Sequence, residues 1–151
     1  MTTLKKGDKA PGFSAVDQEG NTHKLSDYKG RKLIVFFYPA ASTPSCTIEV
    51  CNLRDNYAEL QKEGYALLGV SADTPKKQAN FKAKYELPFP LLADEDKKVI
   101  EAFGVWGPKK FMGREYDGIH RTTFIIDEKG IIEEVIAKVK TKEHAAQILG
   151  K

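Results

Sequence analysis

The sequence predicts an α/β layered fold, and three observations predict it. Lys32-Leu33-Ile34-Val35-Phe36-Phe37-Tyr38 is an apolar run ended by Pro39, the pattern of a strand buried on both faces at the centre of a sheet with helices on each side. Beyond it, strand-like and helix-like stretches alternate. Near the C-terminus two apolar runs flank Asp127-Glu128-Lys129-Gly130, which reads as a β-hairpin.

The elements follow in order. After Pro39, Val50, Leu53, Tyr57 and Leu60 recur at helical spacing and form one stripe of an amphipathic helix that begins near Pro44 to Cys46. "YALLGVSAD" (65–73) is a second buried strand. "TPKKQANFKAKYEL" (74–87) is a helix with Thr74 as N-cap and Pro75 at its first position, where a missing N–H costs nothing. "FPLLAD" (89–94) is a short strand and "EDKKVIEAFGV" (95–105) a helix with Val99 and Phe103 inward. "TTFIID" and "IIEEVIAKV" form the hairpin, and "TKEHAAQILGK" is a terminal helix. The Cys46 segment then lies at the C-terminal end of the central strand, where chemistry gathers in such sheets.

A chain of 151 residues suits one domain with a proper core, and no repeat or linker divides it, so a single domain over 1–151 is expected. Lys and Arg total 24 against 21 Asp and Glu, and the basic residues come as scattered pairs rather than a stripe, which argues against a nucleic-acid partner. "MTTLKKGDKAPGF" has no apolar leader core and no stretch approaches a membrane span, so the expectation is a soluble, cytoplasmic protein with no membrane partner.

Cys46 and Cys51 are the two cysteines. Their spacing fits neither a C-x-x-C dithiol nor a zinc half-site with its second pair. In a reducing compartment a permanent staple is disfavoured. Five residues of α-helix advance about 7.5 Å and place the two Cα atoms roughly 8–9 Å apart, beyond the limit of about 7 Å for a disulfide. An intact helix therefore keeps the sulfurs apart. Two readings remain: Cys51 is a small buried hydrophobe and Cys46 a surface thiol, or the first turn unwinds and the pair is a redox switch. The second is favoured by a helix start at Cys46, where unpaired N–H groups and the positive end of the dipole support a thiolate. Thr43 adds a hydroxyl and Pro44 fixes the turn.

Pro39-x₃-Thr43-x₂-Cys46 resembles the active-site pattern of the peroxiredoxins, and "FFYPAASTPSCTIEVCNLRD" resembles their peroxiredoxin Q group, also called bacterioferritin comigratory protein. "GDKAPGF" (7–13), "GVSAD" (69–73), "PFPLLAD" (88–94), "GVWG" (104–107) and "GIHRTTFIID" (118–127) extend the likeness over nearly the whole chain. Ser45 stands where the group more often has Gly, and Gly12 where it commonly has Asp. The resemblance implies a thioredoxin-like fold, with a central mixed sheet flanked by helices and an N-terminal β-hairpin extension. It implies a monomeric thiol peroxidase without cofactor or metal, acting on hydrogen peroxide and organic hydroperoxides. Cys46 is then the peroxidatic cysteine and Cys51 the resolving one. Thr43 and Arg121 are polar partners, Pro39 shields the site, and a thioredoxin or similar dithiol is the reductant.

A sensor or binding module using the same disulfide is the alternative from another class. A thioredoxin-like electron carrier is disfavoured by the C-x₄-C spacing. Glu49 orients the segment or is an exposed helix residue. His120 adjoins Arg121 in an expected strand and so points to the opposite face. His23 and His144 have no companion at ligand or catalytic spacing.

Overall fold

The computed structural model describes residues 2–150. A five-stranded mixed sheet forms its centre. In chain order the strands and helices are β1 (Ser14–Val16), β2 (Thr22–Lys24), β3 (Lys32–Phe37), α1 (Pro44–Asp55), α2 (Tyr57–Lys62), β4 (Tyr65–Ser71) and α3 (Pro75–Lys84), then β5 (Leu91–Ala93), α4 (Lys98–Ala102), β6 (Trp106–Phe111), β7 (Arg114–Ile119), β8 (Thr122–Ile126), β9 (Ile132–Ile136) and α5 (His144–Leu149). The sheet order is β5-β4-β3-β8-β9. β3 runs parallel to β4, and β4 to β5; β8 is antiparallel to both β3 and β9. The N-terminal β1–β2 hairpin stands outside it, as the resemblance implies.

β3 is the axis of two cores, because alternate side chains leave a strand on opposite faces. Leu33, Val35 and Phe37 join Phe124, Ile126 and the α4 residues Val99 and Ile100 on one face. Ile34, Phe36 and Tyr38 join Cys46, Val50 and Leu53 of α1, Phe81 of α3 and Ile148 of α5 on the other. The side chains of Leu33 to Tyr38 are at most 1 % exposed, and each such burial contributes about 1.5–3 kcal/mol. That both faces are covered explains why the run reads as continuously apolar.

Local differences from the sequence reading have local causes. The amphipathic stripe from Val50 to Leu60 is broken at Asn56, the C-cap of α1, so Tyr57 and Leu60 belong to α2. Thr74 caps α3 by accepting from the Lys77 amide at 3.2 Å. The terminal helix begins as a 3₁₀ turn, Thr141–Glu143, before α5. His120 and Arg121 are not in a strand but in the break between β7 and β8. β6 and β7 pair as an antiparallel hairpin turning at Met112 and Gly113, both at positive φ, an arm with no counterpart in the sequence reading.

Candidate active site

β3 ends at Phe37, and Pro39 begins the loop that delivers the chain to α1. This loop is held from below by β4. The Ala41 amide donates to Asp73 Oδ2 at 2.7 Å, and Ser71 Oγ donates to the same oxygen at 2.7 Å. Gln78 of α3 donates to Ser71 Oγ and accepts from the Tyr38 hydroxyl, so the ends of β3, β4 and α3 are tied into one platform. Ser42 closes the loop in the left-handed region, at φ 66°, a conformation that L-residues adopt only at some cost.

Thr43 is the N-cap of α1 and Pro44 its first residue. The first helical bond is from the Thr47 amide to Thr43 O, so within the helix the amides of Ser45 and Cys46 have no acceptor, and both lie at the positive end of the dipole. The Thr43 hydroxyl donates to Ala40 O at 3.0 Å. Its hydrogen is used in that bond, and its oxygen lone pairs remain to accept.

The buried residues of α1 are Cys46, Glu49, Val50 and Leu53, spaced i, i+3, i+4 and i+7 as one helical face. Cys46 is therefore carried inward on the same stripe that packs the helix. Cys51 lies off it and is half-buried. Both thiols are free, and α1 is wound through both.

Arg121 reaches this face from the break before β8. Its Nη2 donates to Cys46 Sγ at 3.4 Å and its Nη1 to Glu49 Oε1 at 2.5 Å. Burial works against the guanidinium charge, yet Glu49 and the Cys46 sulfur together hold the Arg121 pKa above the ordinary arginine value. Glu49 is fully buried; burial pushes its carboxyl up to about 7 against the lowering pull of Arg121. Glu49 is thus no exposed helix residue: its carboxyl is buried against Arg121. Lys109 of β6 donates to Ile119 O at 2.9 Å. Its pKa is pushed down by burial and by Arg121, against the pull of Cys46.

The resemblance groups Cys46, Thr43 and Arg121; the structure sets Arg121 against Cys46, with Thr43 the N-cap of the helix that carries the sulfur. Pro39 lies on the loop beside them. Asp73, which anchors the loop, was missed, although its position just past the end of β4 signals a loop-facing polar group. His144 was set aside for want of a partner in sequence; the structure buries it at 3.6 Å from Glu49. His23 likewise has partners, Asp17 at 2.7 Å and the Tyr28 hydroxyl at 2.8 Å, remote in the fold from the thiols. The Phe111 side chain lies outside the described residues, Met112 is 86 % exposed and Trp106 packs against the core.

Comparison with known proteins agrees with this geometry. The model of the AhpC/TSA family matches residues 6–135. The chain is 51% identical over 149 residues to peroxiredoxin Bcp of Escherichia coli, covering 99% of this chain and 96% of that one. Among solved structures it is similar to peroxiredoxin Q of Xanthomonas campestris, with a TM-score of 0.86 and 35% identity over 91% of this chain and 87% of that one. It is also similar to a cysteine-to-serine mutant of the Xylella fastidiosa homologue, with a TM-score of 0.92 and 28% identity over 99% and 96%. A sulfur at a helix start under an arginine, in a fold and sequence shared with these proteins, means that the chain belongs to the AhpC/TSA family and is a thiol-dependent peroxidase of the peroxiredoxin Q/Bcp group.

Proposed function

We propose that Cys46 is the attacking sulfur and Cys51 the resolving one in a peroxidase cycle carried out by a single-domain monomer in the cytoplasm. The Cys46 thiolate attacks one oxygen of a hydroperoxide. The O–O bond breaks, Cys46 becomes a sulfenic acid, and the second oxygen leaves as alkoxide or hydroxide and takes a proton. The Cys51 thiol then condenses with the sulfenic acid, forming the Cys46–Cys51 disulfide and releasing water. A thioredoxin-type dithiol reduces the disulfide and is itself oxidised.

The observation that carries this reading is the Arg121 guanidinium held 3.4 Å from Cys46 Sγ at the start of α1. Ionisation alone is too small a source of rate. An ordinary thiol with a pKa of about 8.5 is about 3 % thiolate at neutral pH, so complete ionisation gains about 30-fold. A thiol whose pKa is lower by about two units also loses nearly tenfold in nucleophilicity. The larger contribution comes from donors fixed where charge develops: Arg121 and the first-turn amides. The Thr43 oxygen, its hydrogen spent on Ala40 O, accepts the peroxide O–H and orients it. Pro39 shields the sulfur from water.

Organic hydroperoxides join hydrogen peroxide as substrates. In support, a solved bacterioferritin comigratory protein of Xanthomonas campestris, 34% identical over 91% of this chain, is described for its alkyl peroxide reduction activity. No helix among the described residues is long and apolar enough to cross a membrane.

Turnover with excess thioredoxin tests the assignment. Cys46→Ser abolishes peroxide consumption, whereas Cys51→Ser reacts once and stops as a sulfenic acid. Wild type treated with equimolar peroxide loses the mass of a hydrogen pair. Undiminished turnover by Cys46→Ser would overturn the reading.

A further inference from the structure

At the end of the sheet remote from Cys46 lies a cavity of about 650 Å³, within the range of small-molecule sites. Leu33 of β3 and its partner Ile126 of β8 line it. The loop to Cys46 leaves beyond Phe37, about 13 Å further along the strand. Phe13 and Leu25 join Leu33 and Ile126 to make the floor apolar.

The rim is basic. Lys9, Lys24, Lys29, Arg31 and Lys129 line it, and all five are exposed. They come from the N-terminal segment, the end of β2, the stretch after the 3₁₀ turn Leu25–Tyr28 and the β8–β9 turn, so only folding gathers them. Asp127 is the one acidic residue in the lining, and its Oδ1 is committed to the turn, accepting from the Lys129 and Ile131 amides at 2.9 and 3.0 Å. Just outside, Asp8 and Asp27 accept from the Lys5 and Lys24 amides. Among the described residues none of the five rim cations has an ion pair. Like charges crowded at one mouth raise the local potential and favour an anion.

The walls are preformed. His23 lies 2.7 Å from Asp17 Oδ2 and 2.8 Å from the Tyr28 hydroxyl, which fixes the Tyr28 ring in the wall. The Leu25 amide donates to Phe13 O and the Ala10 amide to Gly130 O, so the segments that frame the cavity are stitched together. With the Tyr28 hydroxyl spent on His23, only Ser14 and Ser26 offer neutral side-chain hydrogen bonds from the lining. So few polar groups over an apolar floor suit a hydrocarbon body and not a nucleobase or a sugar.

We propose that this cavity binds a free amphipathic carboxylate, a fatty acid whose hydrocarbon chain lies on the Phe13, Leu25, Leu33 and Ile126 floor while its carboxylate meets the basic rim. The site is separate from the thiols, and its occupancy leaves peroxide reduction unchanged.

NMR titration and calorimetry of the full chain with butyrate, octanoate and dodecanoate test it. Affinity rises about two- to fourfold per added CH₂, amide shifts move at 9–14, 24–31 and 126–130, and 1-octanol binds about tenfold more weakly than octanoate. Lys29→Glu combined with Lys129→Glu weakens dodecanoate about tenfold or more. Gly12→Phe does the same by filling the cavity it lines, since a Cβ there meets no atom within 4 Å and its φ is ordinary. Peroxide turnover of both variants stays at the wild-type rate. Equal affinity for butyrate and dodecanoate overturns the proposal, as does an unchanged affinity in the charge-reversed variant. Shifts centred on residues 38–46 with slowed turnover overturn it too, because they place the ligand at the thiol. So does capture by phosphatidylglycerol vesicles without binding of monomeric dodecanoate, which makes the patch a membrane contact.

Discussion

At Arg121 one guanidinium serves two partners, Glu49 Oε1 at 2.5 Å and Cys46 Sγ at 3.4 Å, through different nitrogens of a rigid fork. A lysine has one nitrogen on a flexible stem and cannot hold both geometries at once. Arg121→Lys should therefore lower the second-order rate of peroxide reduction by about tenfold or more while keeping the charge, and Arg121→Ala by about 100-fold or more, the scale of losing a preorganised donor. Stopped-flow measurement checks both; a loss for alanine within the roughly 30-fold ceiling of ionisation would put the rate in thiolate formation instead. Cys46 was legible from residue type and its place at a helix start, whereas Arg121, which meets it from 75 residues away, was reached only through the family resemblance. Glu49 was half-legible: three residues after Cys46, it shares the sulfur's helix face, but burial of that face depends on what packs there. His144 was not legible, since its partner comes from another element and no spacing in the chain encodes the meeting.

At the scale of elements, α1 is structure and, in the cycle proposed above, switch. It is wound from Pro44 to Asp55 with two free cysteines, and a helix of that length keeps residues 46 and 51 too far apart to join. The proposed disulfide therefore requires the first turns to open, while Asn52, which donates to Lys142 O and accepts from the Ala145 amide, ties the helix beyond Cys51 to the α5 segment. Amide hydrogen exchange at residues 47–51 should accelerate strongly on oxidation; protection retained in the disulfide form would refute the opening. The sheet beside it is rigid by contrast. A Cβ on Gly69 of β4 would come within 2.7 Å of Phe36 Cζ and 2.8 Å of a Leu91 methyl, so Gly69→Ala should destabilise by about 1–3 kcal/mol through overpacking, measured by urea unfolding. β3 and β4 were readable because burial on both faces leaves an unbroken apolar run. The β6–β7 arm was not, because "GPKKFMGREYDG" is mostly polar and its turn at Met112 and Gly113 lacks the Asn-Gly or Asp-Gly signature.

For the whole molecule, two buried groups tilt stability against pH in opposite directions. The Glu49 carboxyl is raised from 4.5 to about 7 in the folded chain, so the native state holds a proton that the unfolded state releases above about pH 4.5. Its contribution is fully present below that point and is lost as pH rises through 7. His144 is lowered from 6.5 to about 4. Its contribution is fully present above 6.5 and is lost as pH falls through 4. Each amounts to roughly 3 kcal/mol over its window, and between about pH 4.5 and 6.5 the slopes cancel. Glu49→Gln removes one side of this balance. Relative to wild type, the variant should gain about 3 kcal/mol of stability as pH rises from 4.5 to 7, read as a difference in urea midpoints so that the surface carboxylates common to both drop out. A difference that does not change with pH would mean that Glu49 is ionised throughout, with Arg121 sufficient to hold its charge despite the unpaired Oε2.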